Sequence, residues 1–351
     1  MNLMQPLTLG DLNLPNRVIM APLTGCRASG KGRVPNQLMA DYYAQRSSAG
    51  LIISEATSVT PMGVGYPDTP GIWSKDQIEG WKLTTKAVHD QGGRIFLQLW
   101  HVGRISHPLY LNNERPVAPS AIAAEGHISL VRPKTPYVIP RALKVEEIPG
   151  IIEAYRQAAI NAQKAGFDGV EIHGANGYLL DQFLQDNANH RQDDYGGPIE
   201  NRARLMLEVT EAVISVWGAG RVGMHLAPRG DSHSMGDSNN LATFSYLAEQ
   251  LSERNLAFIC TREHLGDDRI GTKLKASFKG TYIVNEGITP AVGESILKKG
   301  EADAVAFGRS FIANPDLPKR IELNAALNEP NPATFYSSGA EGYTDYPLLA
   351  F

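Results

Sequence analysis

Only two cysteines, Cys26 and Cys260, occur in 351 residues, too few and too far apart for a disulfide framework or a four-ligand zinc site. No apolar run of roughly 18 residues is present, and the opening Met1-Asn2-Leu3-Met4-Gln5-Pro6 has no basic segment leading into an apolar stretch. Neither a membrane span nor an export signal is expected, and a reducing cytoplasm fits. Excess positive charge is missing too: 33 Lys and Arg against 37 Asp and Glu leave a formal net charge of -4, which argues against nucleic acid or anionic lipid as partner. The nine histidines show no His-x-x-x-His or His-Glu-x-x-His spacing, so no metal is expected. A Gly-x-Gly-x-x-Gly turn after a strand, internal repeats and low-complexity tracts are absent as well. A monomer or homodimer acting on a small molecule is the remaining expectation.

With 42% hydrophobic and 20% charged residues, the chain can bury a sizeable core. Eight short apolar runs recur, at 17–21, 51–53, 95–99, 169–172, 222–226, 258–260, 282–284 and 304–307. Helical periodicity lies between them at 37–49, 77–90, 148–165, 200–216, 244–254, 291–299 and 316–326. Alternating strand and helix predicts a parallel α/β architecture, and eight such units favour a single (β/α)8 barrel over residues 1–351 instead of a doubly wound sheet. Two additions exceed the minimal barrel. Residues 7–14, turning at Gly10-Asp11, predict a hairpin plugging the barrel's bottom. The Pro- and His-rich stretch 106–141 follows the third strand and is expected to form a lid at the carboxyl-terminal face.

That face collects loops from every strand, and polar residues gather at the expected strand ends. Strand period places Phe96, Gln98 and Trp100 on one face, with Leu97 and Leu99 on the other. Gln98 then either bonds a neighbouring buried backbone group or faces a ligand. Thr24 either caps a turn or does the same. After strand four comes His173-Gly174-Ala175-Asn176-Gly177-Tyr178. Imidazole and carboxamide can hold an oxygen acceptor and a phenol can deliver a proton to carbon, which suits a reductase or isomerase; a histidine here is also a common core residue. Loops after strands seven and eight, Asn285-Glu286-Gly287 and Gly308-Arg309, read either as a phosphate cradle or as structural glycine turns with a surface arginine.

Further stretches carry a resemblance: residues 16–24, 50–57, 98–104, 190–197, 200–202, 313–317 and 342–347. Over nearly its whole length the chain resembles the old yellow enzymes, FMN-dependent (β/α)8 ene-reductases, and most of all bacterial members, cyanobacterial ones included. The resemblance implies that Pro22, Leu23, Thr24, Ala56, Gln98 and His225 lie against the flavin. It implies that Asn285, Glu286, Gly287, Gly308 and Arg309 hold its phosphate and that Phe335 and Tyr336 flank its dimethylbenzene end. His173 and Asn176 would bind the carbonyl or nitro oxygen of an electron-poor alkene, Tyr178 would supply the proton, and Tyr66 and Trp100 would shape the substrate pocket. NADPH or NADH would be the reductant.

One departure touches the implied chemistry. His225 stands where the family pattern has an arginine facing the flavin, so a permanent charge is lost. Arg229 is expected to compensate from just beyond the same strand, whereas Arg221 lies at the strand's far end. The alternative reading is an isomerase or specialised biosynthetic enzyme with weakened flavin reduction. Gly25, Cys26 and Ser337-Ser338-Gly339 are milder departures, and both cysteines read as packing residues.

Overall fold

The computed structural model describes residues 1–350. Eight parallel strands, β1 (Val18–Met20), β2 (Leu51–Ile53), β3 (Ile95–Trp100), β4 (Gly169–Gly174), β5 (Val222–Leu226), β6 (Phe258–Arg262), β7 (Thr281–Asn285) and β8 (Ala304–Phe307), form the central sheet. β8 pairs with β1, and β2 pairs with β3, so the sheet closes on itself into a (β/α)8 barrel.

Every strand is buried on both faces, and alternation divides the side chains. Leu97, Leu99, Val170, Ile172, Met224 and Ile259 point outward into the layer shared with the helices. Ile19, Leu51, Phe96, Phe258, Cys260, Ile283 and Ala304 fill the barrel's interior. The Phe96 and Phe258 rings lie 6.0 Å apart, and glycine makes room for both. A Cβ on Gly169 would come within 2.3 Å of the Phe96 ring, and one on Gly223 within 2.1 Å of the Phe258 ring. Beneath them, the hairpin Leu7–Leu9 and Leu12–Leu14 inserts Leu9 and Leu14 into the same cluster and closes the bottom.

The helices follow their apolar stripes. Ile148–Lys164 buries Tyr155, Ala158, Ala159 and Ala162, one face of a 3.6-residue repeat. Lys75–Asp90 starts at a capping box in which the Ser74 hydroxyl accepts from the Gln77 amide and the Gln77 side chain accepts from the Ser74 amide. Two predicted helices end early. Gln37–Ala44 stops five residues short of expectation because buried Arg46 draws the chain away, donating to the carbonyls of Tyr42, Phe311 and Ile312. Leu317–Glu322 stops before Asn324, whose φ of 50° is left-handed. Gly271–Ser277 forms a helix between β6 and β7 that periodicity missed; seven residues carry too little repeat to register.

Residues 106–141 cross the carboxyl-terminal face with little regular structure: a single 3-10 turn at Pro108–Tyr110, a bridge between His127 and Pro136, and a two-residue pairing of Val117–Ala118 with Arg141–Ala142. Polar anchors hold the stretch down. Arg104 donates to the Ile122 carbonyl, Arg191 to that of Pro119, and the Glu125 amide to the Ser234 hydroxyl.

Candidate active site

Following the inward side chains up from the phenylalanine layer, the barrel turns polar. Gln98 follows Phe96 on β3, Cys260 follows Phe258 on β6, and Glu171 and His173 succeed each other on β4. Register places Gln98 beside Glu171, His173 beside His225, and Arg262 beside Asn285. A cavity of about 810 Å³ opens above them, within the range of ligand pockets.

The structure brings nearly all the residues singled out from the sequence to this cavity. One wall carries Pro22, Leu23, Thr24 and Ala56 from the ends of β1 and β2, with Gln98 and Trp100 from β3. The opposite side carries His173, Asn176 and Tyr178 after β4 and His225 on β5. Asn285, Glu286, Gly287, Gly308 and Arg309 line the end formed by β7 and β8, and Phe335 and Tyr336 close the rim. Tyr66 stands just behind, its ring 5.4 Å from that of Trp100 and its hydroxyl 2.8 Å from that of Tyr178.

Local bonds fix how these groups present themselves. The Ala175 amide donates to His173 Nδ1 at 3.4 Å, which leaves the ring's single proton on Nε2. Burial, and then the neighbouring His225, Arg262 and His233, hold the His173 pKa well below its usual value, so the ring is a neutral N–H donor. Asn176 sits in the left-handed region at φ 59°. Its Oδ1 accepts from Arg262 at 3.1 Å, which turns its two N–H donors outward for a ligand. Burial raises the Tyr178 pKa, so the phenol keeps its proton. The turn bearing all three is clamped from below: buried Asp181 accepts from the Gly177 amide at 2.8 Å, and Gln182 donates to the Gly177 carbonyl at 2.7 Å.

Gln98 does not bond a backbone group, as one reading of its position had it. Its amide donates at 2.7 Å to the buried Glu171 carboxylate, leaving Oε1 without a partner among the described residues. His225 Nδ1 approaches the other carboxylate oxygen at 3.3 Å. With Cys260, Glu171 and His225 bring three metal-ligand atom types within 4.8 Å of one another, a grouping that linear spacing does not reveal. Both carboxylate oxygens are already engaged as hydrogen-bond acceptors. Burial raises the thiol pKa of Cys260 well above normal and pushes that of Cys26 up to about 12, with carboxylates adding to both; neither is a ready thiolate.

Arg229 does not compensate for His225. Its guanidinium is committed to Glu263, Asp268 and the His264 carbonyl. A cation that reaches the cavity beside Asn176 is Arg262, which the sequence reading missed because it lies on the neighbouring strand. Arg221 donates to the Asp168 carbonyl at the barrel's other end, as expected. A second missed residue is Arg27, which donates to the carbonyls of Thr334, Phe335, Gly339 and Glu341 and so straps the segment bearing Phe335 and Tyr336 against the loop after β1.

This donor set fits a flavin mononucleotide. Glu286 turns its carboxylate to Arg262 at 2.8 Å and His264 at 3.4 Å, so the loop can offer amides and Arg309 to a phosphate without a competing anion. The free Gln98 Oε1 suits a ring N–H, and the apolar rim of Phe335 and Tyr336 suits an aromatic edge.

Comparison with known proteins agrees. The profile of the NADH:flavin oxidoreductase / NADH oxidase family matches residues 2–328. The chain is 43% identical to 12-oxophytodienoate reductase 2 of Arabidopsis thaliana, over 99% of this chain and 96% of that one. The solved structure of morphinone reductase in complex with tetrahydroNAD is 50% identical, covers 100% of this chain and 98% of its own, and superposes with a TM-score of 0.95. An old yellow enzyme homologue from Zymomonas mobilis is 45% identical with a TM-score of 0.97, over 99% and 100% of the two chains. Fold and site thus define a flavin-dependent oxidoreductase. The chain belongs to the NADH:flavin oxidoreductase / NADH oxidase family, as an FMN-dependent member of its old yellow enzyme group using NAD(P)H. No helix among the described residues is long and apolar enough to cross a membrane.

Proposed function

We propose that this protein reduces the activated C=C bond of α,β-unsaturated carbonyl or nitro compounds. The observation carrying this reading is the convergence of a neutral imidazole N–H, an oriented carboxamide and a protonated phenol on one side of the cavity. Pro22, Leu23, Thr24, Ala56, Gln98 and His225 would lie against the flavin ring, Phe335 and Tyr336 at its apolar edge, and Asn285, Glu286, Gly287, Gly308 and Arg309 around its phosphate, Glu286 through its backbone. Bound there, FMN would supply the hydride chemistry that links nicotinamide and alkene.

His173 Nε2–H and Asn176 Nδ2–H donate to the substrate's carbonyl or nitro oxygen. Negative charge collects on that oxygen as the β-carbon is reduced, and each preorganised donor of this kind contributes about 3 kcal/mol. Arg262 keeps the Asn176 amide in its donating orientation. Tyr178 then places its proton on the α-carbon. Trp100 and Tyr66 shape the pocket above, and Tyr137 with Ala124 brings residues 106–141 over it as a lid that excludes water.

The test is consumption of NADPH and of NADH with 2-cyclohexenone or N-ethylmaleimide. Turnover in the purified yellow protein, slowed by about 10²-fold or more in Tyr178→Phe at the alkene step alone, is the expected result. A specific observation supports a second reading, an isomerase or biosynthetic enzyme with weak flavin reduction: buried Glu171 faces His225 where the implied arginine would neutralise it. An anaerobic reduction time course with each nicotinamide separates the two.

A further inference from the structure

Behind Tyr178 runs a chain of hydrogen bonds that the alkene reaction as described does not use. The Tyr178 and Tyr66 hydroxyls are 2.8 Å apart, and Tyr66 is 3.5 Å from His233 Nε2. His233 Nδ1 lies 2.6 Å from the Asn176 carbonyl oxygen. A carbonyl only accepts, so Nδ1 carries the ring's proton and Nε2 is left as the basic nitrogen facing Tyr66. Tyr178, Tyr66 and His233 are each partly exposed, and the chain leads from the phenol to an imidazole on the loop after β5.

The backbone is bent to build this arrangement. His233 and Ser234 both occupy the left-handed region, at φ 59° and 62°, where non-glycine residues carry strain. The conformation is over-determined from several sides. Arg104 donates to the His233 carbonyl at 3.2 Å, Asn187 to the Ser234 carbonyl at 2.7 Å, and the Ser234 hydroxyl accepts from the Glu125 amide at 2.9 Å.

We propose that Tyr66 and His233 form a proton relay that recharges Tyr178 from solvent after each turnover. The idea rests on the reading of Tyr178 as the proton donor. When the Tyr178 O–H bond breaks and a C–H bond forms on the substrate, the phenolate takes the Tyr66 proton. Tyr66 takes the proton from Nε2 of a protonated His233, whose Nδ1–H bond to Asn176 stays intact. The imidazole then collects a new proton from water at its exposed edge. One proton enters from solvent for each one placed on carbon, and no electron moves along the relay.

The groups facing the imidazole are Tyr66, Tyr178 and Tyr137, with the cations Arg104 and Arg262. Burial, Arg104 and Arg262 hold its pKa below the usual value, against the opposing bond to Asn176. A relay fed by the imidazolium therefore slows as pH rises through that depressed pKa.

The experiment uses full-length, FMN-loaded protein, with wild type compared to His233→Ala, His233→Gln and Tyr66→Phe. Reduction by the nicotinamide is expected to be unchanged in both His233 variants. The first turnover of pre-reduced protein with 2-cyclohexenone is also expected to be unchanged, because Tyr178 still holds its own proton. Multiple turnover should fall by about 10²-fold, the low end of what a positioned proton donor contributes, with an enlarged solvent isotope effect and loss of the acid-side pH dependence. Added imidazole should restore His233→Ala but not Tyr66→Phe. Nitrogen-15 NMR of His233 gives a reading independent of turnover, and a neutral ring protonated at Nε2 would overturn the relay. Wild-type multiple turnover and isotope effect in the folded His233 variants would overturn it too. If Tyr178→Phe leaves the alkene step at full rate, the donor reading fails and the relay with it; if only the His233 variants are silent, the relay alone fails.

Discussion

Replacing His225 by arginine tests the electrostatics at the floor of the cavity. Wild-type His225 is 3% exposed and directs Nδ1 at the Glu171 carboxylate across 3.3 Å. That bond puts a proton on Nδ1, and an imidazole gives the buried carboxylate no permanent counter-charge. A guanidinium in its place pairs with Glu171 and still has N–H donors for the flavin edge, where negative charge settles on reduction. Hydrogen bonds to charged groups are worth about 1.5–3 kcal/mol. Because about 1.4 kcal/mol corresponds to 30 mV for a two-electron couple, the midpoint potential should rise by roughly 30–60 mV. Spectroelectrochemical titration of both proteins at one pH measures it, with FMN affinity of each apoprotein as the control for disrupted binding. An unchanged potential with unchanged affinity would refute the reasoning, and show that Arg262 already supplies the missing charge.

Three further outcomes follow from the same structure. Glu55 is wholly buried, bonded by Tyr43 and the Gly25 amide, and burial lifts its pKa from 4.5 to about 7. A raised carboxyl pKa means the folded state holds the proton more tightly, so stability present below about pH 4.5 is lost as pH rises towards 7, by roughly 3 kcal/mol. Glu55→Gln should flatten that slope in urea titrations taken across this range. Gly223→Ala drives a methyl to 2.1 Å from the Phe258 ring and should cost about 1–3 kcal/mol of stability by denaturant unfolding. Arg262→Met frees the Asn176 carboxamide to turn over, and KM for 2-cyclohexenone should rise by about tenfold in steady-state assays, the equivalent of one lost charge-assisted bond.

The barrel was legible because two periodicities carry it. Period two along β3 put Phe96, Gln98 and Trp100 on the inner face, where the structure has them, and the residue after each strand end named most of the cavity's lining. Relations between strands were not legible. Arg229 looked near His225 because it follows by four positions, yet Arg262 reaches the cavity from the next strand, and only the β5–β6 register, pairing His225 with Cys260, places it there. Glu171 read as one more strand residue, although its inward direction follows from the same alternation that located His173. His233 gave no signal at all: its place depends on two consecutive left-handed residues in a loop, a conformation that Ser and His do not announce.

Arg27 ties together parts of the chain more than three hundred positions apart, its bonds to Gly339 and Glu341 spanning 312 and 314 residues. The rim of the cavity therefore cannot assemble in a growing polypeptide until residues 334–341 have been made. A barrel whose eight strands have already closed still lacks Phe335 and Tyr336 until this late segment docks, so the capacity to hold the cofactor arrives after the fold itself. Cofactor loading can thus report on docking of this segment, and molecules in which it has not docked are kept from running redox chemistry in an unfinished site.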